Sequence, residues 1–159
     1  VSLAGLLIVP PALVLPMASF DEAWYASVAR NVVKTGDWLT FQFNGEPFWE
    51  KPPVGIWMIA ACFSLFGVCD FVARISAILC GLGCVLVVFQ CAHRQGGLRI
   101  AVLAALLLLS AQDFVRFASK GQFDVPLTLF LTAQLVGFWE GLQRPRWHLP
   151  SGLFLGLAL

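Results

Sequence analysis

At 159 residues, with a net charge of +1 and no run of basic residues, the chain offers no charge-built surface for nucleic acid. Only 12% of its residues are charged, against roughly 25% in soluble domains. With 59% hydrophobic residues and a mean hydropathy of +0.83, an ordinary soluble domain is excluded and a polytopic membrane protein is indicated.

The chain opens at Val1, without an initiator Met, in an apolar run, and stops at Leu159 in another. It is expected to be the N-terminal part of a larger membrane protein. No convincing cleavage site of small residues follows the first run, so a retained first helix is expected over residues 1–18. Pro10, Pro11 and Pro16 are expected to kink or end it. Residues 19–70 form an outer loop. Within it Asp21 to Thr35 reads as helical, because Ala23, Ala26, Val28, Ala29, Val32 and Val33 recur at helical spacing. Asp21 and Glu22 open that helix, where its dipole favours carboxylates, and Gly36 suits its C-terminus. Asp37 to Gly45 looks extended, with Asn44-Gly45 as a turn. Residues 53–67 are apolar but shorter than the roughly 20 residues a span needs. They read as an interfacial helix opened by Pro52-Pro53, with Trp49 and Trp57 at headgroup level.

Full spans are expected over 71–92, 98–115 and 125–142, with a further helix starting over 149–159. The loops at 93–99 and 143–148 fall on one side of the membrane. They carry Arg94, Arg99, Arg144 and Arg146 and no acid, so that side is expected to be cytoplasmic. The loops at 19–70 and 116–124 then share the opposite side, although Arg116 and Lys120 lie there too. Asp21, Glu22, Glu50, Lys51 and Asp124 end up on one face.

Each charged residue also has a plain structural reading. Asp124, with Pro126 in the first turn, suits an N-cap, and Asp21 and Glu22 suit a first turn, which explains one acid better than two. Lys51 could snorkel or pair with Glu50. Asp70–Arg74 and Asp113–Arg116 have the spacing of local ion pairs and are assigned no chemistry. Of the five cysteines, Cys80, Cys84 and Cys91 sit in one expected span as small apolar residues. Cys62 and Cys69 could face an oxidising compartment, and no spacing fits zinc. The chemistry open to the charged island is specific. A lysine at the membrane surface suits a lipid phosphate, and a partly desolvated carboxylate beside it suits a general base.

The run Asp21-Glu22-Ala23-Trp24-Tyr25, then Thr35-Gly36-Asp37-Trp38, then Asn44-Gly45 and Glu50-Lys51-Pro52-Pro53, resembles the first outer loop of the GT-C membrane glycosyltransferases. Proteins similar to aminoarabinose transferase and to the protein O-mannosyltransferases carry the resemblance furthest. Leu65-Phe66-Gly67-Val68 followed by Ala73-Arg74, and Asp124-Val125-Pro126-Leu127-Thr128-Leu129-Phe130-Leu131-Thr132, continue it, so that it covers roughly residues 15–140. The resemblance implies an all-α polytopic bundle of GT-C type, with juxtamembrane helices in the first outer loop. It implies a polyprenyl-monophosphate sugar donor and an active site facing the periplasm or lumen. Asp21 matches the catalytic acid and Glu22 is its neighbour. Lys51 matches the donor-phosphate lysine, and Asp124 the acid at the mouth of the fourth helix. Trp24 is a departure, since aminoarabinose transferases often carry Arg there. Arg30, Arg116 or Lys120 could supply that charge.

The expectation is therefore an integral-membrane glycosyltransferase, placed in a bacterial inner membrane. It would move a sugar to a lipid, glycan or protein acceptor, as in lipid A modification or protein O-mannosylation. Asp21, Glu22 and Asp124 are the candidate catalytic residues, and Lys51 the donor-phosphate ligand. Tyr25, Glu50, Arg116 and Lys120 are candidates for supporting roles. No cofactor is required; if a divalent metal binds, Asp21 and Asp124 are its candidates. Membrane lipids are expected partners and nucleic acid is not. A transporter or lipid flippase subunit is the alternative, with charges lining a path through the membrane. A purely structural subunit would leave the long polar loop unexplained.

Overall fold

A computed structural model describes residues 2–14, 20–143 and 148–158. Among them the protein is helical apart from one small hairpin. The elements are α1 (Ser2–Val14), α2 (Phe20–Thr35), β1 (Gln42–Phe43), β2 (Glu46–Pro47), α3 (Pro53–Phe66), α4 (Asp70–Ser110), α5 (Gln112–Ala118), α6 (Asp124–Gln143) and α7 (His148–Ala158).

The helix α1 runs through Pro10 and Pro11 instead of ending there, and Pro16 lies outside the described residues. Tertiary donors support its carbonyls. Ser119 Oγ donates to the Ile8 carbonyl at 2.9 Å and Arg74 Nη1 to the Ala12 carbonyl at 2.7 Å. Four residues after Ala12 stands Pro16, which has no N–H to offer that carbonyl.

The outer segment folds as a packed unit. The α2 helix ends at Gly36, whose amide reaches the Val32 carbonyl at 2.9 Å with a positive φ. Asp37 then accepts the amides of Leu39 and Thr40, both at 2.9 Å. The stretch read as extended is a two-stranded hairpin, reversed at Asn44 and Gly45 with φ 52° and 87°. That positive pair matches strand twist in a two-residue turn. Asn31 Nδ2 donates to the Gln42 carbonyl, and Trp57 Nε1 to that of Trp38, tying the hairpin and the preceding loop to both helices. Phe41 and Phe48 are buried with Val28, Val32, Ile56, Ile59 and Phe63 in one core. The α3 helix has 14 residues, about 21 Å of rise, too short for a hydrocarbon core of about 30 Å. Gly55, Ile56, Ile59, Ala60 and Phe63 form its buried face against α2 and α4.

The helix α4 is two arms broken at Gly97 (φ 76°, ψ −173°). The expected loop over 93–99 is thus a single non-helical residue, because glycine can adopt a backbone that other residues avoid. The arms fold back on each other, bringing Val85 to Leu109 around Ala4 of α1. The stretch expected as one span over 98–115 is divided at Ala111, where the extended ψ of 104° separates α4 from α5. Among the described residues two helices are long and apolar enough to cross a membrane, Asp70–Ser110 and Asp124–Leu142. Arg94 reaches Glu140 at 3.0 Å and joins α4 to α6. Arg144, Pro145 and Arg146 lie outside the described residues.

Candidate functional site

Three separate segments converge on one end of the bundle. Asp21 and Tyr25 lie one turn apart on α2, Lys51 precedes α3, and Asp124 opens α6. Tyr25 is buried with 7% of its surface exposed, whereas Asp21, Lys51 and Asp124 are exposed. The Lys51 ammonium stands close enough to the Tyr25 hydroxyl for its charge to act on it. Burial pushes the Tyr25 phenol above its ordinary 10.0; the Lys51 charge opposes the shift, while Asp21 and Asp124 add to it. The sign leaves Tyr25 neutral at physiological pH, a hydroxyl with no charge of its own beside Lys51. Both acids therefore act on one phenol, which brings together residues a hundred positions apart in the chain.

Beneath this face a narrow cleft is lined by Tyr25, Lys51, Ile56, Ser76, Phe123 and Pro126, among others. Its volume of about 10 Å³ leaves room for about one water. A group larger than a water that meets Lys51 does not fit inside the cleft, and Asp21 and Asp124 are exposed. The backbone carbonyl of Asp124 accepts the Thr128 hydroxyl at 2.7 Å.

Glu22 is placed differently from its neighbour. It is 1% exposed and faces inward, where Oε1 accepts Arg74 Nε at 2.6 Å and the Gly121 amide at 3.0 Å. Oε2 accepts Arg74 Nη2 at 3.3 Å. This corrects the expected Asp70–Arg74 pair, for Asp70 is exposed and Arg74 is 2% exposed. Helical spacing makes a local pair available, but a buried guanidinium requires a buried partner. Glu22, expected among the catalytic acids, is thus buried, with its carboxylate bonded to Arg74 and to the Gly121 amide.

The supporting candidates divide. Tyr25 is at the centre, and Glu50 is exposed beside Lys51. Arg116 pairs with Asp113 at 3.4 Å, as their spacing suggested, and lies over the Phe117 ring at 5.0 Å. With Lys120 it lines another groove, apolar and bounded by Leu7, Pro11 and Val115. Arg30 lines a third groove with Ser27 and Asp70. None of these three cations lines the cleft that Lys51 lines. Trp24 packs on Phe20, Phe43 and Phe48 at ring distances of 5.2–5.5 Å, an apolar use of its position. Arg74 was not among the candidate site residues, although Ala73-Arg74 belongs to the pattern that carries the resemblance. Among the described residues no group of three or more His, Cys, Asp or Glu could hold a metal ion, and the five cysteines are free.

The family model of the dolichyl-phosphate-mannose-protein mannosyltransferases matches residues 50–159, a range that includes Lys51 and Asp124. An undecaprenyl phosphate-alpha-4-amino-4-deoxy-L-arabinose arabinosyl transferase of Edwardsiella ictaluri is 35% identical over 141 residues, covering 87% of this chain and 26% of that protein. The protein of that description from Aeromonas salmonicida is 35% identical over 148 residues, covering 90% and 27%. The crystal structure of ArnT from Cupriavidus metallidurans bound to undecaprenyl phosphate superposes with a TM-score of 0.92 at 26% identity. It covers 99% of this chain and 30% of that one. The chain thus spans about a quarter of the length of the curated relatives it matches.

Proposed function

The chain belongs to the dolichyl-phosphate-mannose-protein mannosyltransferase family of integral membrane proteins, and from that premise we propose that it serves a glycosyltransferase with a polyprenyl-monophosphate donor. The sugar passes to a lipid, glycan or protein acceptor on the outer face of a bacterial inner membrane. The observation that carries this reading is the meeting of Lys51, Tyr25, Asp21 and Asp124 at one exposed face. Binding of undecaprenyl phosphate by a structural relative supports the donor class.

Lys51 holds the donor phosphate through a charge-assisted hydrogen bond, and Tyr25 orients the lysine. The acceptor oxygen attacks the anomeric carbon. The bond from that carbon to the phosphate oxygen breaks, and its electrons leave with polyprenyl phosphate. For a hydroxyl acceptor, Asp21 takes the proton; for a phosphate acceptor, already ionised, Asp21 positions it. Asp124 completes the acidic wall. The reaction as written needs no cofactor. A divalent ion between Asp21 and Asp124 is the competing version, and chelation separates the two. The charges gather at helix starts on a single face, which supports the transferase over a transporter with charges along its path.

The test uses full-length protein in membranes, a panel of polyprenyl-phosphate sugars and cell-derived acceptors, with free polyprenyl phosphate as the readout. Asp21→Asn should lower release about 10²–10⁴-fold if Asp21 is the base. A pH–rate profile with no acidic limb governed by Asp21 would leave it a positioning role. Folded wild type that releases nothing from any donor refutes the transferase reading.

A further inference from the structure

We propose that Glu22 is the positioning residue of this site, setting the placement of Asp21 against Asp124 without touching substrate. The inference rests on the transferase reading for its activity readout and on the hydrogen bonds for its geometry.

Three parts of the fold meet at this carboxylate. Asp21 precedes it on α2, so any shift of Glu22 moves Asp21. Arg74 anchors it to α4 through bonds of 2.6 and 3.3 Å and extends to the Ala12 carbonyl of α1 at 2.7 Å. The Gly121 amide, three residues before Asp124, donates to Oε1 at 3.0 Å. Side-chain volume is excluded at that peptide: a Cβ on Gly121 would lie 3.1 Å from the Ala73 carbonyl oxygen and 3.6 Å from Glu22 Cγ. The loop thus approaches α4 closely enough for its amide to reach the carboxylate. With both Glu22 and Arg74 at 2% exposure or less, neither reaches the open face. A buried ion pair is weak evidence for stability, since well-packed apolar residues often replace one without loss. Geometry is what this pair supplies: it joins the acid on α2 to the acid on α6 through one oxygen.

The test separates the acceptor at Gly121 from the charge pair. Glu22→Gln/Arg74→Met and Glu22→Met/Arg74→Met both remove the pair, but only the first keeps an oxygen that can accept the Gly121 amide. In full-length protein in nanodiscs, normalised for folded protein, the Glu22→Met double should have a kcat about 10- to 100-fold below the Glu22→Gln double, as misplacement of reacting groups implies. Its donor KM should stay within about twofold, because Lys51 and Tyr25 are untouched; misplacement falls on the chemical step. Exchange of the Gly121 amide hydrogen should accelerate in the Glu22→Met double alone. Equal kcat in the two doubles overturns the proposal, as does a kcat loss matched by a rise in donor KM. Should the Glu22→Met double not fold, Gly121→Ala stands in. It keeps the Glu22–Arg74 pair and displaces the loop, and an unchanged kcat in the folded variant overturns the proposal. If wild type turns over no donor, the transferase reading fails separately. The exchange experiment then decides, and unchanged Gly121 exchange in the Glu22→Met double overturns the tie.

Discussion

At the scale of single residues, the site separates groups that bind from groups that hold. Tyr25 offers Lys51 a neutral phenol, a hydroxyl able to accept, beside an exposed ammonium. Tyr25→Phe removes that acceptor, a bond of about 1 kcal/mol net. Donor KM should rise about fivefold with kcat little changed, as steady-state kinetics with a polyprenyl-phosphate sugar would read. An unchanged KM means that Tyr25 does not orient Lys51. Asp37 offers a test of the outer loop. Amides of Thr40 and Leu39 stabilise its carboxylate and pull its pKa below the ordinary 3.8. With the folded value depressed, its contribution to stability is present above the unfolded value and is lost as pH falls through the folded one. An NMR titration should place its midpoint below 3.8, and Asp37→Asn should abolish that acid dependence. The type and position of these residues were legible in the sequence. The partner of Arg74 was not, because Glu22 lies 52 positions away and helical spacing offered Asp70 instead.

At the scale of elements, periodicity located the helices better than it located their breaks. Pro10 and Pro11 do not end α1, and Ala111 divides a stretch that reads as one span. The reversal at Gly97 is the break with a chemical cause. Its φ of 76° and ψ of −173° lie where only glycine is comfortable, at a cost of about 1–3 kcal/mol for another residue. Gly97→Ala should therefore lower the stability of purified protein in detergent by about that amount. The effect is read as a lower thermal midpoint; no change means that the arms reverse without strain at residue 97. The hairpin was legible in part, since Asn44-Gly45 marks the turn while strands of two residues leave no alternating pattern to find.

At the scale of the whole molecule, the segments assigned to the outer side meet, since the loop before α6 bonds to α2; away from that side, Arg94 of α4 pairs with Glu140 of α6. Single-cysteine variants in intact cells test the proposed orientation. The exposed Cys69, just before α4, should react with a membrane-impermeant maleimide, and Cys91, close to the Gly97 reversal, should not. The reverse pattern would place the site in the cytoplasm. By itself the sequence determined membrane insertion, the helical class and the family resemblance. Hydropathy and residue spacing are local properties, and transfer into lipid depends on them additively. Only the tertiary structure decided which charges face outward and which bury. It turned Glu22 into a buried partner of Arg74, sent Arg116 and Lys120 to another groove, and brought Asp124 to the phenol it shares with Asp21. Those outcomes depend on the rotation of each helix about its axis and on the close approach at Gly121. Both are set by packing between segments far apart in the chain, which no local pattern encodes.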